Sequence, residues 1–412
     1  MRSIVLFEDE GFVNLLPLVY WRSVFELRVG RSILMDQTTQ RLGLPIAGVW
    51  TRDWIARVAA QRCGAPANQA VTDDALLVNG RWEFDEGVEL PEEPGVGTIG
   101  ESVAYVACDR ATAERLAPRD LLDPARCRDA LNGLPRHAAP GRMIRYPWDI
   151  VCSIADRLRA EWRDSDAAME TTFDAPPMMD QPERIHIGER ASVHSTAVID
   201  TSNGPVFVSH DVTIGPYAVI EGPAYIGPGS RISPHAHLHG GNALGPVCNV
   251  GGEVDACVIG GYANKRHGGF LGHTYVGSWV NLGAGSVNSD LKNTYGLIRV
   301  PVNGTTVDTG EQFFGAIIGD HAKIGINATI PTGASIGLSA TAVTTRVLPK
   351  YVPSFGWVTN ERVGRGDPLR LLDVATAMMA RRDVDMTDAE VELFIDLGQQ
   401  VRDFESRPKA DW

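Results

Sequence analysis

The sequence lacks any apolar run of about 18 residues, the length that a membrane-spanning helix needs, and it lacks a basic stripe. The first absence argues against a spanning segment. The second, with 38 Lys and Arg against 51 Asp and Glu and a net charge of −13, argues against a nucleic-acid partner. A small anionic ligand stays open, because local charge decides that. The six cysteines (Cys63, Cys108, Cys127, Cys152, Cys248 and Cys257) form no CxxC pair. They read as buried thiols of a reducing compartment, not as a disulfide framework or a zinc site. The opening MRSIVLFEDEGF has a short apolar run followed by acids, which is not a signal-peptide pattern. These features predict a soluble, cytoplasmic protein with no membrane partner.

Glycine, by contrast, is plentiful: 43 Gly and 25 Pro in 412 residues. The glycines fall between aliphatic residues, which predicts many tight turns rather than disorder. From Val208 an aliphatic residue recurs every sixth position: Ile214, Ile220, Ile226, Ile232, Leu238, Leu244 and Val250. A mostly small residue stands two places before each. Shorter runs give Ile187, Val193 and Ile199; Phe270, Val276 and Leu282; and Ile318, Ile324, Ile330 and Ile336. A period of six fits neither an α-helix nor simple strand alternation. It fits a left-handed parallel β-helix of three short strands per turn, with one aliphatic per strand pointing inward. Gly, Asn or Asp is expected at the corners, where positive φ costs them little.

The period breaks twice. One break contains Asn264-Lys265-Arg266-His267-Gly268-Gly269, the other Asn288-Ser289-Asp290-Leu291-Lys292-Asn293. Breaks in a coil predict extruded loops, and loops on rigid scaffolds tend to carry function. His267 in the first is a candidate general base, because imidazole titrates near neutrality. Gly268 and Gly269 would let backbone approach a ligand. Lys265, Arg266 and Lys292 are candidates to bind a phosphate or pyrophosphate. Backbone N–H groups at Gly283–Gly285 are candidate oxyanion donors. His273 is a possible second residue of the same loop. His235, His237 and His239 alternate and share one face. With Ala236 and Leu238 taking the inward slots, they read as outward or interface positions, since no carboxylate or cysteine is spaced along the chain to complete a metal site.

The N-terminal part has another texture. Ser3–Phe7, Leu44–Val49 and Ala75–Val78 read as strands, Val24–Leu42 and Arg52–Cys63 as helices, the latter closed by Gly64. This order predicts a Rossmann-like α/β domain with a mainly parallel sheet. Ligands of such sheets bind at the strands' carboxyl ends, here Glu8–Pro17 and Asn79–Arg81. Pro147–Arg163 reads as one helix, and Asp164–Gln181 as a linker. After the coil, helices are expected over Leu369–Arg382 and from Thr387, where Thr387-x-x-Glu390 forms a capping box. They are expected to cover the last rung or a neighbouring subunit. The expected domains are 1–146, a linker at 147–183, the β-helix at 184–350 and a helical extension at 351–412.

Several segments together carry a family resemblance: Leu15-Leu16-Pro17-Leu18, Phe25 to Gly30, Val78-Asn79-Gly80-Arg81, Pro147-Trp148-Asp149, Asn264 to Gly272, Asn281 to Gly285, and Ser289 to Asn293. The chain resembles the bifunctional N-acetylglucosamine-1-phosphate uridyltransferase/glucosamine-1-phosphate N-acetyltransferase family. It is most similar to a divergent bacterial branch of sugar nucleotidyltransferases with a hexapeptide-repeat acyltransferase domain. The resemblance covers about residues 1–360 and implies a nucleotidyltransferase-type N-terminal domain. It also implies a coenzyme-A-dependent N-acetyltransferase in the β-helix, with acetyl-CoA as co-substrate. His267, in the pattern H-x-x-[YF]-L-G, matches the acetyl-transfer base. Asn264, Lys265, Arg266, Phe270, Asn281, Gly283, Ala284 and Lys292 fall in the substrate and coenzyme region. A sugar phosphate or nucleotide sugar and a homotrimer are implied as partners.

Two departures stand out. Where the family has a Gly-rich phosphate loop, this chain has Glu8-Asp9-Glu10-Gly11, and where it has a metal-binding Gly-Asp, this chain has Asn79-Gly80. A nucleotide site would have to be rebuilt from Asp9, Arg28, Asn79, Gly80 and Arg81, with Asp9 as the ligand of any Mg²⁺. A Lys that meets the sugar phosphate in the family falls near Glu253–Cys257, where no Lys stands. The alternatives to an acyltransferase with an altered nucleotidyltransferase domain are a nucleotidyltransferase alone, or a non-catalytic trimeric scaffold that binds a sugar nucleotide.

Overall fold

The computed structural model describes residues 3–91 and 93–406. Its contacts divide the chain into two units. The first comprises the residues up to Leu27, Ser32–Tyr146 and Asp388–Leu393; the second comprises Arg28–Arg31, Pro147–Thr387 and the residues from Phe394 on.

In the first unit, β1 (Ser3–Phe7) lies between β2 (Ile46–Trp50) and β3 (Ala75–Asn79), all parallel. Their continuous apolar runs suit strands buried on both faces. Val5, Phe7, Trp50, Leu77, Val96 and Val106 form part of the core. The sheet is mixed but mainly parallel, as expected: among the described residues one of its six strands runs against the other five. Ser102–Cys108 pairs antiparallel with β3, and Gly95–Ile99 pairs antiparallel with Ser102–Cys108. The turn between them, with Gly100 at φ 59°, is too short for a parallel crossover. Arg136–Ala138 then adds a parallel edge. The helix expected over Val24–Leu42 is a 3₁₀ turn, Val24–Glu26, and a separate α1, Leu34–Leu42. Gly30 is a poor helix residue, and the Arg31 N–H donates to Glu161 Oε2 at 2.7 Å instead of to a helical carbonyl. α2, Ala56–Cys63, ends at Gly64 with φ 62°, the left-handed cap that its sequence predicts.

The second unit is a left-handed β-helix. Its strands stack into three faces, one of six strands and two of ten among the described residues, parallel except where Val363–Arg365 adds an antiparallel edge to Gly356–Val358. The repeated aliphatics pair coil to coil: Ile214 with Ile232 and Val250, Ile220 with Leu238 and Val254, Val208 with Ile226 and Leu244. All are buried in one continuous core, and each contributes about 1.5–3 kcal/mol by burial. The coil starts earlier than expected, because the supposed linker supplies Ala168–Met169 and Met178–Met179 as its first rungs. Pro147–Arg163 is two short helices, Pro147–Val151 and Ile154–Ala160. The Ser153 hydroxyl donates to the Asp149 carbonyl at 2.6 Å, a local bond that competes with helix continuation.

The corners differ from expectation. Along one edge they hold bulky residues at positive φ: Tyr262 at 61°, Trp279 at 61°, His321 at 59° and Phe355 at 55°. Each such corner costs about 1–2 kcal/mol. Stacking offsets part of that: Tyr262 and Trp279 lie 4.1 Å apart at 10°, and Trp279 and His321 lie 6.2 Å apart at 12°. Glycine is needed for another reason. A Cβ on Gly245 would sit 2.6 Å from the Gly261 nitrogen of the next coil.

The two breaks are unlike each other. The first is no extruded loop but a shortened coil, in which Leu244 pairs with Ile259 and Val250 with Lys265. Asn264–Lys265 is a regular strand, followed by a bend over residues 267–269. The second extrudes a hairpin of Arg299–Val302 and Thr305–Asp308 before Leu282 pairs with Ile324. Past the coil, helix Pro368–Ala380 is followed by helix Asp388–Ser406. Phe394 of the latter packs edge-on against Phe355 of the last rung, with centroids 5.1 Å apart. No helix among the described residues is long and apolar enough to cross a membrane.

Candidate functional site

In the first unit, the carboxyl ends of β1 and β3 hold a closed set of charges. Asp9 is 4% exposed. Its carboxylate accepts from Arg81 Nε at 2.7 Å and Nη2 at 2.5 Å, from Asn79 Nδ2 at 2.8 Å and from the Gly11 N–H at 3.2 Å. Arg81 Nη1 donates to the Ile144 carbonyl at 2.8 Å. Asn79 accepts from the Arg81 N–H and donates to Val103, while the Gly80 N–H donates to the Phe7 carbonyl. Glu8 is likewise spent: Arg52 meets both of its oxygens, at 2.9 and 3.0 Å, and the Val24 N–H and Thr51 hydroxyl donate to it.

Each acid of the Glu8-Asp9 pair thus has its own guanidinium, which cancels much of its charge within the protein. The same bonds leave the expected Mg²⁺ ligand, Asp9, poorly suited to a metal, since both of its oxygens carry charge-assisted bonds. These residues do not fit a divalent cation. Arg28 corrects a second expectation. It belongs to the other unit, where its backbone N–H meets the Tyr275 hydroxyl at 2.9 Å and its guanidinium lies 5.5 Å from the Tyr225 ring. Asp9, Asn79, Gly80 and Arg81 are brought together; Arg28 is not among them.

In the β-helix, the bend after Asn264–Lys265 presents His267 exposed. Gly269 there has φ 124°, and a Cβ on it would meet the Ser286 carbonyl oxygen at 2.2 Å. Arg266 is also exposed and Phe270 half-buried. Lys265 is not the phosphate ligand expected of it. It takes an inward slot and is 4% exposed. Its ammonium donates to the carbonyls of Gly251, His267 and Gly269 at 2.8, 3.0 and 2.7 Å. All three protons are therefore used in pinning the bend, and burial pushes its pKa down to about 8.

The Gly283–Gly285 corner lies against this bend, since the Gly285 N–H donates to the Gly268 carbonyl at 2.9 Å. That bond, and the one from the Gly283 N–H to Ile324, remove both amides as oxyanion donors. The Ala284 carbonyl accepts from the Asn327 N–H. Lys292 donates to Leu297 within its own excursion.

Asn264 and Asn281 stand outward on one face of the coil, in a ladder with Asn249 and Lys323. Asn249 donates to Asn264 Oδ1 at 2.8 Å. Helix Pro368–Ala380 and the residues after it cover this ladder and leave a cavity of about 380 Å³, lined by Asn264, Asn281, Lys323, Met378, Arg381 and Arg382 among others. Arg382 Nη2 donates to Asn264 Oδ1 at 2.7 Å. Lys323 is half-buried, and its ammonium donates to the carbonyls of Trp279 and His321, each at 2.8 Å. Burial pushes its pKa down to about 7. Among the described residues, three cationic side chains and two carboxamides line the cavity, and no carboxylate does. Lys323, Arg381 and Arg382 were not among the sequence candidates. Lys323 falls in an ordinary repeat, and the two arginines are far away in the chain.

The bend also borders a paired imidazole and carboxylate. His273 Nδ1 lies 2.9 Å from Asp290 Oδ2. Asn288, from the second break, is a structural residue: it accepts from the Gly272 N–H and donates to the Gly272 carbonyl, both at 2.8 Å.

The mixed α/β sheet and the hexapeptide coil define the class: a nucleotidyltransferase-type domain followed by a hexapeptide-repeat β-helix. Residues 4–165 match the sugar nucleotidyl transferase family model, and residues 205–240 match the bacterial transferase hexapeptide model of six repeats. Among particular proteins, a bifunctional sugar-1-phosphate nucleotidylyltransferase/acetyltransferase of Sulfurisphaera tokodaii is 34% identical over 115 residues, 28% of this chain. The bifunctional protein GlmU of Acidithiobacillus ferrooxidans is 30% identical over 174 residues, 40% of this chain. The matched stretches span only 26% and 36% of those relatives' own lengths. A solved UDP-N-acetylglucosamine acyltransferase of Francisella novicida aligns over 53% of this chain and 81% of its own, at 16% identity and a TM-score of 0.30. At that score the superposition adds nothing to the assignment.

Proposed function

We propose that the β-helix is a coenzyme-A-dependent N-acyltransferase acting on an amino sugar phosphate or nucleotide amino sugar. The observation that carries this reading is the bend with His267. It projects from the coil immediately after the strand whose Asn264 lines the cationic cavity, and it is tied to the Gly283–Gly285 corner. His267 takes the proton of the acceptor amine as the amine attacks the thioester carbonyl; the coenzyme thiolate leaves and is protonated. Lys323, Arg381 and Arg382 receive the coenzyme's phosphates, which suits a cavity lined by cations. The substrate is a single acetyl group carried on coenzyme A, and the assembly is a homotrimer in the cytoplasm.

The N-terminal unit is a sugar-nucleotidyltransferase-type domain that binds a sugar nucleotide or sugar phosphate without metal-dependent turnover. The bonds of Asp9 to Arg81, which occupy the carboxylate that Mg²⁺ would need, favour this reading.

The test is release of free coenzyme thiol from acetyl-CoA in the presence of amino sugar phosphates and nucleotide amino sugars. His267→Ala is expected to lower the rate by about 10²–10⁴, the range of general-base catalysis, with the melting temperature unchanged. Equal turnover in the variant rules out the assignment of the base.

A further inference from the structure

The six-stranded face of the coil carries a cluster of side chains that neither the acyl-transfer reading nor the nucleotide reading uses. Along this face the inward row runs Ile220, Leu238, Val254 and Leu271, and the outward row beside it runs Val219, His237, Glu253 and Phe270. Glu221 and His239 stand outward two positions beyond Val219 and His237. Strand alternation and rung stacking therefore bring Glu221, His237, His239 and Glu253 to one patch, from three consecutive coils. Rungs stacked about 4.8 Å apart are the right spacing for side chains to share one ion.

The contacts are close. His237 Nε2 lies 2.6 Å from Glu221 Oε1, and His239 Nδ1 lies 3.4 Å from Glu221 Oε2. On its other side, His239 Nε2 lies 3.2 Å from Glu253 Oε1. The two imidazole rings are 3.9 Å apart. One donor atom each from Glu221, His237 and His239 lies within 4.8 Å of the others. Ligands held at about 2 Å from a tetrahedral zinc ion stand about 3.3 Å from one another, so small rotamer changes close this set around a metal. Among the described residues, the ion-pair partners of Glu221 and Glu253 are these imidazoles. The Glu221 and His239 side chains are each 30% exposed, and that of His237 40%, so an ion reaches them from solvent. His235, the third histidine of the run, points elsewhere and stacks on Tyr217 at 5.0 Å.

We propose that Glu221, His237 and His239 form a binding site for a divalent transition-metal ion of the zinc class, with Glu253 close enough to hydrogen-bond or complete it. Two neutral imidazoles and a carboxylate are borderline ligands that suit zinc and not magnesium or calcium. The ion replaces the direct contact between His237 Nε2 and Glu221 Oε1 and leaves a position open to water or to an anionic group of a ligand. It sits two rungs from Phe270, with Glu253 between, on the outer surface that leads to the His267 bend. The neighbouring Asp255–His273–Asp290 group offers a single imidazole, already paired with Asp290, and is read as a hydrogen-bonded pair.

The experiment is direct titration of the full, tag-free, chelator-stripped chain with Zn²⁺ by calorimetry, and with Co²⁺ by visible absorption. One ion per chain is expected, with the intense d–d bands of a low-coordinate cobalt site. His237→Ala and Glu221→Gln should each weaken Zn²⁺ binding by at least about tenfold, the loss that even outer-shell partners of a metal produce. His235→Ala and Asp290→Asn should leave binding unchanged. Thermal melts of each variant verify that the coil is intact. Absence of stoichiometric binding by the wild-type chain overturns the proposal. So does undiminished affinity in a folded His237→Ala/His239→Ala double variant, or loss of binding in Asp290→Asn alone. None of these outcomes depends on acyl transfer.

Discussion

Two lysines of the coil show how one residue type is put to two uses by position alone. Lys265 faces inward and spends its three protons on carbonyls of the bend; Lys323 faces outward under a helix, with two carbonyl partners and a cavity beside it. Both ammonium groups are destabilised by burial, to about 8 and about 7. An unfolded lysine titrates near 10.4. For Lys323, the unfolded chain therefore binds more protons than the folded one between about pH 7 and 10.4. Folding stability should rise with pH across that window, since the cost of the buried charge is fully present below 7. Coenzyme affinity should move the other way, falling as pH rises through 7 and the cavity loses a cation. Lys323→Met should flatten both trends. Chemical denaturation and coenzyme A titration at a series of pH values check this, and an unaltered slope in the variant refutes the role given to the residue.

At the scale of elements, the hexapeptide period made the coil legible, because each inward aliphatic repeats a fixed spacing and nothing else in a sequence does so. The same rule concealed the site. Lys265 looked like a loop lysine because it interrupts the aliphatic series, yet it occupies the series' own slot in a shortened coil. The carboxylate partners of His237 and His239 were missed because they lie one coil away along the chain and are adjacent only once rungs stack. The fate of Asp9 was equally hidden: the acids of Glu8-Asp9-Glu10 were visible, but not that Arg52 and Arg81, just past the ends of β2 and β3, would fold onto two of them.

The final helices were legible from their spacing, and their packing has a consequence. Helix Asp388–Ser406 covers Phe355 of the last rung. Truncation after Gly366 would expose that ring and an unprotected strand edge, which promotes edge-to-edge association. The truncated chain should form large assemblies under conditions where the full chain does not. Light scattering after size-exclusion chromatography measures this, and a monodisperse truncated chain counts against the capping role.

At the scale of the whole molecule, the two units rely on different sources of specificity. The first holds its strand ends with paired charges, so removing one partner strands another. Asp9→Asn should cost the first unit about 3–5 kcal/mol, the penalty for leaving a buried guanidinium partly unpaired. Mg²⁺ should not raise that unit's melting temperature. Calorimetry with and without Mg²⁺ tests both statements, and stabilisation by Mg²⁺ would restore Asp9 as a metal ligand.

The second unit is built by stacking, with each coil held chiefly by its neighbours. Such a structure responds to force as a row of latches rather than as one block. Pulled from one end, the coil would peel rung by rung, with a similar resistance at each. At the shortened coil the side chain of Lys265 bonds to Gly251 on one side and to His267 and Gly269 on the other. It would act as a rivet there, holding the bend with His267 in place after rungs at the chain's ends had already let go.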